Sequence, residues 1–348
     1  MSELYQQLID RISDRQHVLV TTHVRPDGDA LGTTAALVLA LRKIGIPAEV
    51  LLLSHLPSKY AFIYKDNAIK FHDAEKGWPA TLTLNQFDAL LVADTGTWSQ
   101  LPGLKEKLEA LNGPRLVIDH HLTQESWADV RVVDTRAAAA AEIVGHLLER
   151  WDIALDRPIA TAIFLGLASD TGWFQYSSTR PETMRLAARL MEAGVDTDAM
   201  YQHLYQNERP QRLLLQTRAL QSLELQSSNR LAVMHLTTAD FAACGAEVPS
   251  TEGIINGPLG IADVQVSILL LEPTEPRLDG PIRISLRSKG QVDCARFCEK
   301  FGGGGHARAA GMRLPGPLAD AKRIVMDAML RTLSVPLLTP SRGASEPG

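Results

Sequence analysis

The sequence lacks the features that place a protein in a membrane or on long nucleic acid. No run of about 18 consecutive apolar residues occurs, so no transmembrane helix is expected. The net charge is −5, and the densest basic stretch, Arg283, Arg287 and Lys289, is short. Because phosphate neutralisation by basic side chains supplies most of the affinity for long DNA or RNA, this charge balance disfavours long nucleic acid and allows a small nucleotide.

Cysteine is scarce, and the common nucleotide-binding fingerprints are missing. The three cysteines are odd in number, and Cys294 and Cys298 are four residues apart, which fits one helical face better than a CxxC metal or redox pair. The polar, amphipathic residues 1–6 do not resemble a secretory signal, so a reduced, cytoplasmic setting is predicted. Neither GxGxxG nor a P-loop motif occurs, which disfavours dinucleotide cofactors and P-loop chemistry.

In the first half of the 348-residue chain, apolar runs alternate with helix-like segments. Continuous apolar strands separated by helices predict a parallel sheet covered by helices on both faces. Asp29 is expected to cap the first of the helices that follow a strand, and Asp170 to lie just beyond the end of a later helix. The predicted strands are 18–22, 48–53, 87–93 and 115–118, and the predicted helices are 30–44, 137–151, 158–168 and 181–193.

The second half has a different pattern, which predicts a smaller α+β domain. Strands are expected at 231–236, 263–271 and 282–287, and helices at 292–300 and 318–332. A polar break at 206–210 precedes a further helix that should run to about residue 225. The predicted division is an α/β domain at 1–205, a helical connector at 206–227, the α+β domain at 228–333, and a disordered Pro-, Ser- and Gly-rich tail at 334–348.

Four apolar segments of the first half are followed by acidic or imidazole residues. In an α/β sheet such ends meet at one edge, where these folds bind ligands. Taken singly, an Asp can cap a helix or precede a Gly in a turn, but adjacent histidines after a buried strand have no easy structural role. Together the four motifs predict a binuclear metal centre. They are His23-x-x-x-Asp27-Gly28-Asp29, Asp94-Thr95-Gly96, Asp119-His120-His121 and Asp170-Thr171-Gly172.

In this order the four motifs resemble the DHH phosphoesterase family. The segment Phe301-Gly302-Gly303-Gly304-Gly305-His306, followed by Ala309-Ala310-Gly311, resembles the hallmark of the associated DHHA1 domain. The pattern is most similar to bacterial nanoRNases (oligoribonucleases) that also act on 3′-phosphoadenosine 5′-phosphate (pAp). The resemblance implies hydrolysis of short oligoribonucleotides to 5′-mononucleotides, and of pAp to AMP, by two-metal activation of a bridging water.

The resemblance also implies which residues hold the two ions. Carboxylates with two imidazoles and no thiolate favour Mn²⁺, with Mg²⁺ or Co²⁺ as substitutes. His121 is expected to donate to the substrate phosphate or to protonate the leaving oxygen, and Asp119 to orient one of the two imidazoles. The implied ligands are His23, Asp27 and Asp94 for one ion, and Asp29, Asp94, His120 and Asp170 for the other.

In DHHA1 domains the glycine-rich loop and its His bind substrate phosphate. A glycine run can also be a plain linker, but its backbone N–H groups can approach an anion closely, and a following helix start would add its positive end. Arg287 offers a bidentate fork for phosphate. A terminal phosphate held by Arg287 and His306 would limit substrates to short lengths. The implied substrate-binding residues are Ser285, Arg287, Ser288, Gly302, Gly303, Gly304, Gly305 and His306.

Other functions stay open at this point. A cyclic di-AMP or pApA phosphodiesterase of the same family would use the same residues. A family II inorganic pyrophosphatase shares the metal centre but lacks the glycine-rich His loop, and a non-catalytic nucleotide sensor would be expected to have lost a ligand. The expected partners are short RNA, dinucleotides or pAp, with no long nucleic acid and no membrane, and a homodimer would fit by analogy with the family.

Overall fold

The computed structural model describes residues 1–274, 278–290 and 292–334. Residues 335–348, most of the predicted disordered tail, lie outside this part of the chain. The chain divides into two compact units, Met1–Asn207 and a second that begins at Glu208. None of the helices that the structure describes is both long and apolar enough to cross a lipid bilayer.

The first unit is built on a six-stranded parallel sheet in the order β3-β2-β1-β4-β5-β6. All four predicted strands are present. The two edge strands, β3 and β6, were not predicted. The strands are β1 (Val18–Thr22), β2 (Ala48–Leu52), β3 (Phe71–Asp73), β4 (Ala89–Ala93), β5 (Arg115–Asp119) and β6 (Val130–Val133).

Both faces of this sheet are covered, as predicted. Along β1, Val18 and Val20 face the larger core, which the α-helices supply, whereas Leu19 faces a second core on the opposite side. Short 3₁₀ helices contribute Leu84 and Leu108 to that second core. The α-helices are α1 (Ser2–Ile12), α2 (Gly28–Lys43), α3 (Ala61–Lys65), α4 (Ala140–Arg150), α5 (Arg157–Asp170), α6 (Pro181–Glu192) and α7 (Thr197–Tyr205).

Two helix ends differ from the prediction, and both carry candidate ligands. The N-cap of α2 is Asp27 rather than Asp29, because Asp27 Oδ1 accepts from the N–H groups of Asp29 and Ala30 at 3.0 and 3.1 Å. Asp29 therefore lies inside the first turn. Asp170 is the last residue of α5 rather than a residue beyond it. Both carboxylates are thus attached to regular helices and not to loops.

Helices α2 and α5 pack closely because two glycines face each other across their contact. A Cβ atom on Gly32 would lie 2.4 Å from the carbonyl oxygen of Ala162, and one on Gly166 would lie 2.6 Å from Asp29 Oδ1. Any side chain at either position would push the helices apart. The close approach places Asp29 beside the last turn of α5, which ends in Asp170.

The second unit is the smaller α+β fold that was predicted. Its mixed sheet has the order β11-β12-β10-β9-β8-β7, with β8 and β9 parallel and the other neighbours antiparallel. One face packs on α10 and α11 and the other on α8 and α9. The elements are α8 (Pro210–Gln221), β7 (Glu224–Gln226), β8 (Leu231–Leu236), α9 (Thr238–Cys244), β9 (Val266–Leu271), β10 (Ile282–Ser288), α10 (Cys294–Glu299), β11 (Gly304–His306), β12 (Ala309–Leu314) and α11 (Leu318–Ser334).

Two local predictions in this unit were wrong. The helix expected to reach about residue 225 ends at Gln221, and strand β7 follows it. No helix starts directly after the glycine run, because Gly304–His306 forms β11 and pairs antiparallel with β12. A helix dipole therefore does not contribute to anion binding at that loop.

Candidate metal centre

The carboxyl ends of three neighbouring strands bring the predicted ligands together. His23 follows β1, Asp94 follows β4 and His120 follows β5. His23 Nε2 lies 3.4 Å from Asp94 Oδ2, and His120 Nε2 lies 3.5 Å from Asp94 Oδ1. On its other side His120 Nε2 lies 3.5 Å from Asp170 Oδ2 and 3.9 Å from Asp29 Oδ2. Asp94 thus stands between the two imidazoles.

The structure places the candidate ligands in two compact groups. In each group one potential ligand atom per residue lies within 4.8 Å of the others. One group unites the residues implied for the first ion, and the other unites residues implied for the second. The groups are His23, Asp27 and Asp94, and Asp29, His120 and Asp170.

Both imidazoles are held so that Nε2 faces the carboxylates. Nδ1 of His23 lies 3.0 Å from the carbonyl oxygen of Val24, and Nδ1 of His120 lies 3.3 Å from that of Ala137. A carbonyl can only accept, so each Nδ1 carries the hydrogen and each Nε2 is left with a lone pair when the ring is neutral. This is the arrangement in which a protein His binds a metal ion through Nε2.

Without a cation, the same imidazoles bind protons tightly. Burial lowers the pKa of His23, but the hydrogen bond to Asp94 and its charge outweigh burial and raise the pKa to about 9. For His120 burial again lowers the pKa, while Asp94 and the charge of Asp29 raise it to about 10. A proton on either imidazole neutralises the surrounding carboxylates, as a bound metal ion would.

Asp94 has a strained and incompletely satisfied environment. Its φ of 62° is left-handed, a conformation that Asp adopts more readily than most residues but that still costs about 1–3 kcal/mol. The carboxylate is buried, and Oδ1 has no hydrogen-bond partner among the described residues. A buried carboxylate oxygen without a hydrogen bond is costly, and His120 Nε2 lies 3.5 Å away. A cation bound between the two imidazoles would remove that cost, so the residues present fit a metal ion.

Asp29 and Asp170 lie among other carboxylates, and their pKa values are raised. Asp29 is fully buried and accepts from the backbone N–H groups of Ala140 and Ala141 at the start of α4. Burial first, and then the charges of Asp94 and Asp170, raise its pKa well above the ordinary value. Burial likewise raises the pKa of Asp170 to about 6, although His120 opposes the shift. Divalent cations would allow both carboxylates to stay ionised near neutral pH.

Asp119 orients His121 and not His120. Asp119 Oδ1 lies 2.7 Å from His121 Nδ1, and the same oxygen accepts from the backbone N–H groups of both histidines. Gln124 donates to the other carboxylate oxygen. The hydrogen bond to Asp119 is the largest cause of a raised pKa for His121, whose side chain is 56% exposed. His121 is therefore a partly exposed, readily protonated imidazole beside the two groups.

One supporting element was missed at the sequence level. Residues 137–141 are all alanine, yet their backbone holds two candidate ligands, through the carbonyl of Ala137 and the N–H groups of Ala140 and Ala141. The buried carboxylate of Glu142 anchors this segment by accepting from Ala138 N–H at 3.0 Å. Side-chain chemistry could not have revealed backbone groups, but an acidic residue on a buried, Ala-rich face was a usable signal.

In the second unit, three of the predicted phosphate-binding residues lie on β10, on two different faces. Ser285 and Arg287 are two residues apart and share one face, whereas Ser288 is buried on the other and donates to the carbonyl of Val292 at 2.7 Å. The Ser288 hydroxyl is thus engaged within the protein, and we leave it out of the proposed phosphate site. The side chain of His306 lies outside the described part of the chain.

The four glycines of the loop have different structural roles. A Cβ on Gly303 would lie 2.4 Å from the carbonyl oxygen of Gly311, and one on Gly305 would lie 2.6 Å from that of Ala309, so both are required by packing on β12. Gly302 has a φ of 72°. Gly304 alone has neither constraint, because nothing lies within 4 Å of a Cβ built there. The space that a side chain at Gly304 would fill is therefore free of other described atoms.

Comparisons with known proteins identify the family of the chain. Residues 17–167 match the model of the DHH family, N-terminal domain, and residues 243–333 match that of the DHHA1 domain. A protein of Thermus thermophilus named bifunctional oligoribonuclease and PAP phosphatase NrnA is 30% identical over 320 residues, which cover 91% of this chain and 90% of the relative.

Solved structures show the same fold. An exopolyphosphatase-related protein from Bacteroides fragilis superposes with a TM-score of 0.84 at 25% identity, over 95% of this chain and 96% of its own. RecJ from Thermus thermophilus, solved in complex with Mn²⁺, shares the fold at a TM-score of 0.52 and 14% identity, over 97% of this chain and 55% of RecJ. From its two domains and its full-length relative, the chain belongs to the DHH phosphoesterase family and is a phosphoric ester hydrolase.

Proposed function

We propose that the protein is a divalent-metal-dependent phosphoesterase that hydrolyses short oligoribonucleotides to 5′-mononucleotides and converts pAp to AMP. The observation that carries the proposal is the pair of candidate ligand groups on either side of Asp94. Asp94 Oδ1 has no hydrogen bond among the described residues, and a cation would neutralise it. The name of the Thermus thermophilus relative supports the choice of substrates. The net charge of −5 supports short substrates over long nucleic acid.

Two ions are proposed, with Mn²⁺ preferred because the donors are oxygens and two imidazole nitrogens without thiolate. When bound, such ions activate a water for attack on phosphorus and offset the charge that builds up on its oxygens. The protein's own contribution is to fix the donors in place. Asp94 supplies an oxygen to each side, and the carbonyls of Val24 and Ala137 hold the imidazoles in the required orientation.

His121 is proposed as the group that acts on the ester directly. Asp119 fixes Nδ1, so Nε2 is the atom left to interact with a substrate. The raised pKa keeps the ring protonated to a higher pH than a free imidazole. Nε2–H can therefore donate to a phosphate oxygen or transfer its proton to the leaving oxygen, which is general acid catalysis.

The second unit is proposed to bind a terminal phosphate of the substrate. Arg287 and Ser285 lie on one face of β10, in the part of the strand that pairs with β12. Gly304 lies on β11, which pairs with the opposite edge of β12. A guanidinium can grip phosphate with two parallel hydrogen bonds, and an unobstructed backbone N–H can approach an anion closely. With His306, these groups would select substrates that carry a terminal phosphate.

A substrate panel tests this proposal. With Mn²⁺ present, pApA, pAp, a 5-mer RNA, cyclic di-AMP and pyrophosphate are offered in parallel, and the products are separated by chromatography. Release of AMP from pApA and pAp, and of mononucleotides from the 5-mer, is expected. Turnover confined to cyclic di-AMP or pApA would replace the proposal with second-messenger degradation, and cleavage of pyrophosphate alone would contradict the role given to the glycine loop.

A further inference from the structure

An unusual backbone segment follows the candidate ligand Asp170. Gly172, Trp173 and Phe174 are consecutive and have φ values of 57°, 59° and 65°. Left-handed conformations are uncommon for bulky residues, and each costs about 1–2 kcal/mol. Two hydrogen bonds hold the segment, from Trp173 N–H to the carbonyl of Ala168 at 2.7 Å and from Phe174 N–H to Thr171 Oγ1 at 2.9 Å.

The rings of this segment form the base of an aromatic cluster. Trp173 and Phe174 pack edge-to-face on Phe164 of α5, with ring centroids 5.8 and 5.6 Å apart. On its other side Trp173 contacts Tyr201 and Tyr205 of α7 at 5.1 and 5.8 Å. The strained backbone thus packs both rings on α5, where Trp173 supports the tyrosines of α7.

Three tyrosines of this cluster are exposed. Tyr176 is 60% exposed, Tyr205 44% and Tyr201 38%. The Tyr201 and Tyr205 rings lie 5.0 Å apart, and Tyr176 lies against Gly172, where an added Cβ would be 2.4 Å from its ring. Gly172 directly precedes Trp173, whose ring contacts both Tyr201 and Tyr205, so the three phenols lie around one short segment. We call Tyr176, Tyr201 and Tyr205 the tyrosine platform.

The tyrosine platform borders the metal centre at two points. Gly172, which Tyr176 covers, is two residues from Asp170. Tyr60 ends a short 3₁₀ helix that contacts α7, and it lies beside Gly28, where an added Cβ would be 3.1 Å from its ring. Gly28 stands between the candidate ligands Asp27 and Asp29. A phosphate on the metal centre would therefore have exposed aromatic rings within reach of the rest of its nucleotide.

We propose that the tyrosine platform is a stacking site for a nucleobase of the substrate, next to the phosphate that is hydrolysed. The proposal rests on the proposed function and adds to it a base-binding site. Aromatic rings stack on any base because every base has a π-face, and tyrosine hydroxyls keep the surface compatible with water when it is empty. Such a site would bind the base without reading its sequence.

Binding of AMP and of ribose 5-phosphate, compared by calorimetry on the full chain with Mn²⁺, tests the platform without relying on turnover. The two ligands share the sugar phosphate and differ only in the base. AMP is expected to bind roughly 5- to 100-fold more tightly, the usual effect of one stacked base. Tyr176→Leu, Tyr201→Leu and Tyr205→Leu should each remove much of that preference. Tyr→Phe at the same positions should retain it, because the ring and not the hydroxyl stacks.

The control is Phe71→Leu, which removes a ring of similar exposure, 38%, from the edge strand β3. It should leave the preference unchanged. Equal affinity of the unchanged protein for both ligands would overturn the platform, as would Tyr→Leu variants that weaken both ligands equally. A protein that prefers AMP but hydrolyses neither pAp nor short RNA would refute the proposed function and still support the platform.

Discussion

Replacing Glu142 with Gln should weaken both the first unit and its metal centre. The buried carboxylate accepts three hydrogen bonds, from Arg180 and Thr183 at 2.7 Å each and from Ala138 N–H at 3.0 Å. A Gln has the same shape, but it loses the charge that pairs with Arg180, and its NH₂ group faces a donor. The anchored segment 137–141 in turn holds His120 and Asp29.

The size of the effect follows from burial. Removing one partner of a buried ion pair costs about 3–5 kcal/mol. Arg180 is 32% exposed, so water can reach the guanidinium that is left behind, and the lower end, about 3 kcal/mol, is expected. For a unit of this size that lowers Tm by roughly 6–12 °C. The affinity for Mn²⁺ should fall as well, because His120 and Asp29 lose their fixed positions.

The matched control is Glu149→Gln on the same helix. Glu149 pairs with Arg189 at 2.9 Å but is 58% exposed, so the substitution should cost no more than about 0.5–1 kcal/mol. Thermal unfolding and Mn²⁺ titration of both variants give the comparison. Equal Tm values for the two variants, together with an unchanged Mn²⁺ affinity of Glu142→Gln, would refute the reasoning.

Three further substitutions and a pH effect follow from the site. His121→Ala should lower kcat by about 10²–10⁴-fold and leave the metal content nearly unchanged. Loss of metal from this variant, measured by elemental analysis, would contradict the proposal that His121 is not a metal ligand. Arg287→Ala should raise KM for pApA far more than for bis-p-nitrophenyl phosphate, and equal effects would exclude a phosphate-binding role. Gly304→Ala should raise KM for pAp at an unchanged Tm, since nothing lies within 4 Å of the added Cβ; an unchanged KM would show that no anion approaches this backbone. Metal-free His23 and His120 have pKa values of about 9 and 10, so below those pH values protons compete with Mn²⁺ for the imidazoles. The affinity for Mn²⁺ should therefore rise with pH, by about tenfold per pH unit for each proton displaced. Calorimetry in buffers of different ionisation enthalpy would detect the released protons, and a pH-independent affinity would exclude this coupling.

The buried strands and the residues that follow them could be predicted from the sequence. Strands covered on both faces, such as β1 and β4, are continuous apolar runs, and a polar residue directly after such a run marks the edge of the sheet. The edge strands β3 and β6 were missed because they are short and partly exposed. Local spacing could not decide between Asp27 and Asp29 as the cap of α2, since each precedes a plausible first turn.

The supporting contacts of the metal centre were beyond sequence reasoning for a different reason. The Ala137 carbonyl and the N–H groups that bind Asp29 belong to the backbone, which carries no sequence signal. Asp119 orients His121 because of the direction in which the His121 side chain points. The sequence does not show which of two adjacent histidines points toward Asp119. The fold and the candidate ligands follow from the sequence pattern, whereas the orientation of these candidates follows from tertiary contacts.

Two cations bound around Asp94 are proposed to make this protein a phosphoesterase for short nucleotides. The most direct test of this proposal counts Mn²⁺ per chain by elemental analysis while AMP release from pApA is followed, in the unchanged protein and in Asp94→Asn. The account predicts two ions per chain and AMP release that EDTA abolishes and Mn²⁺ restores, with both ion content and turnover lost in the variant. AMP release that persists after complete metal removal, or that survives in Asp94→Asn, would contradict it.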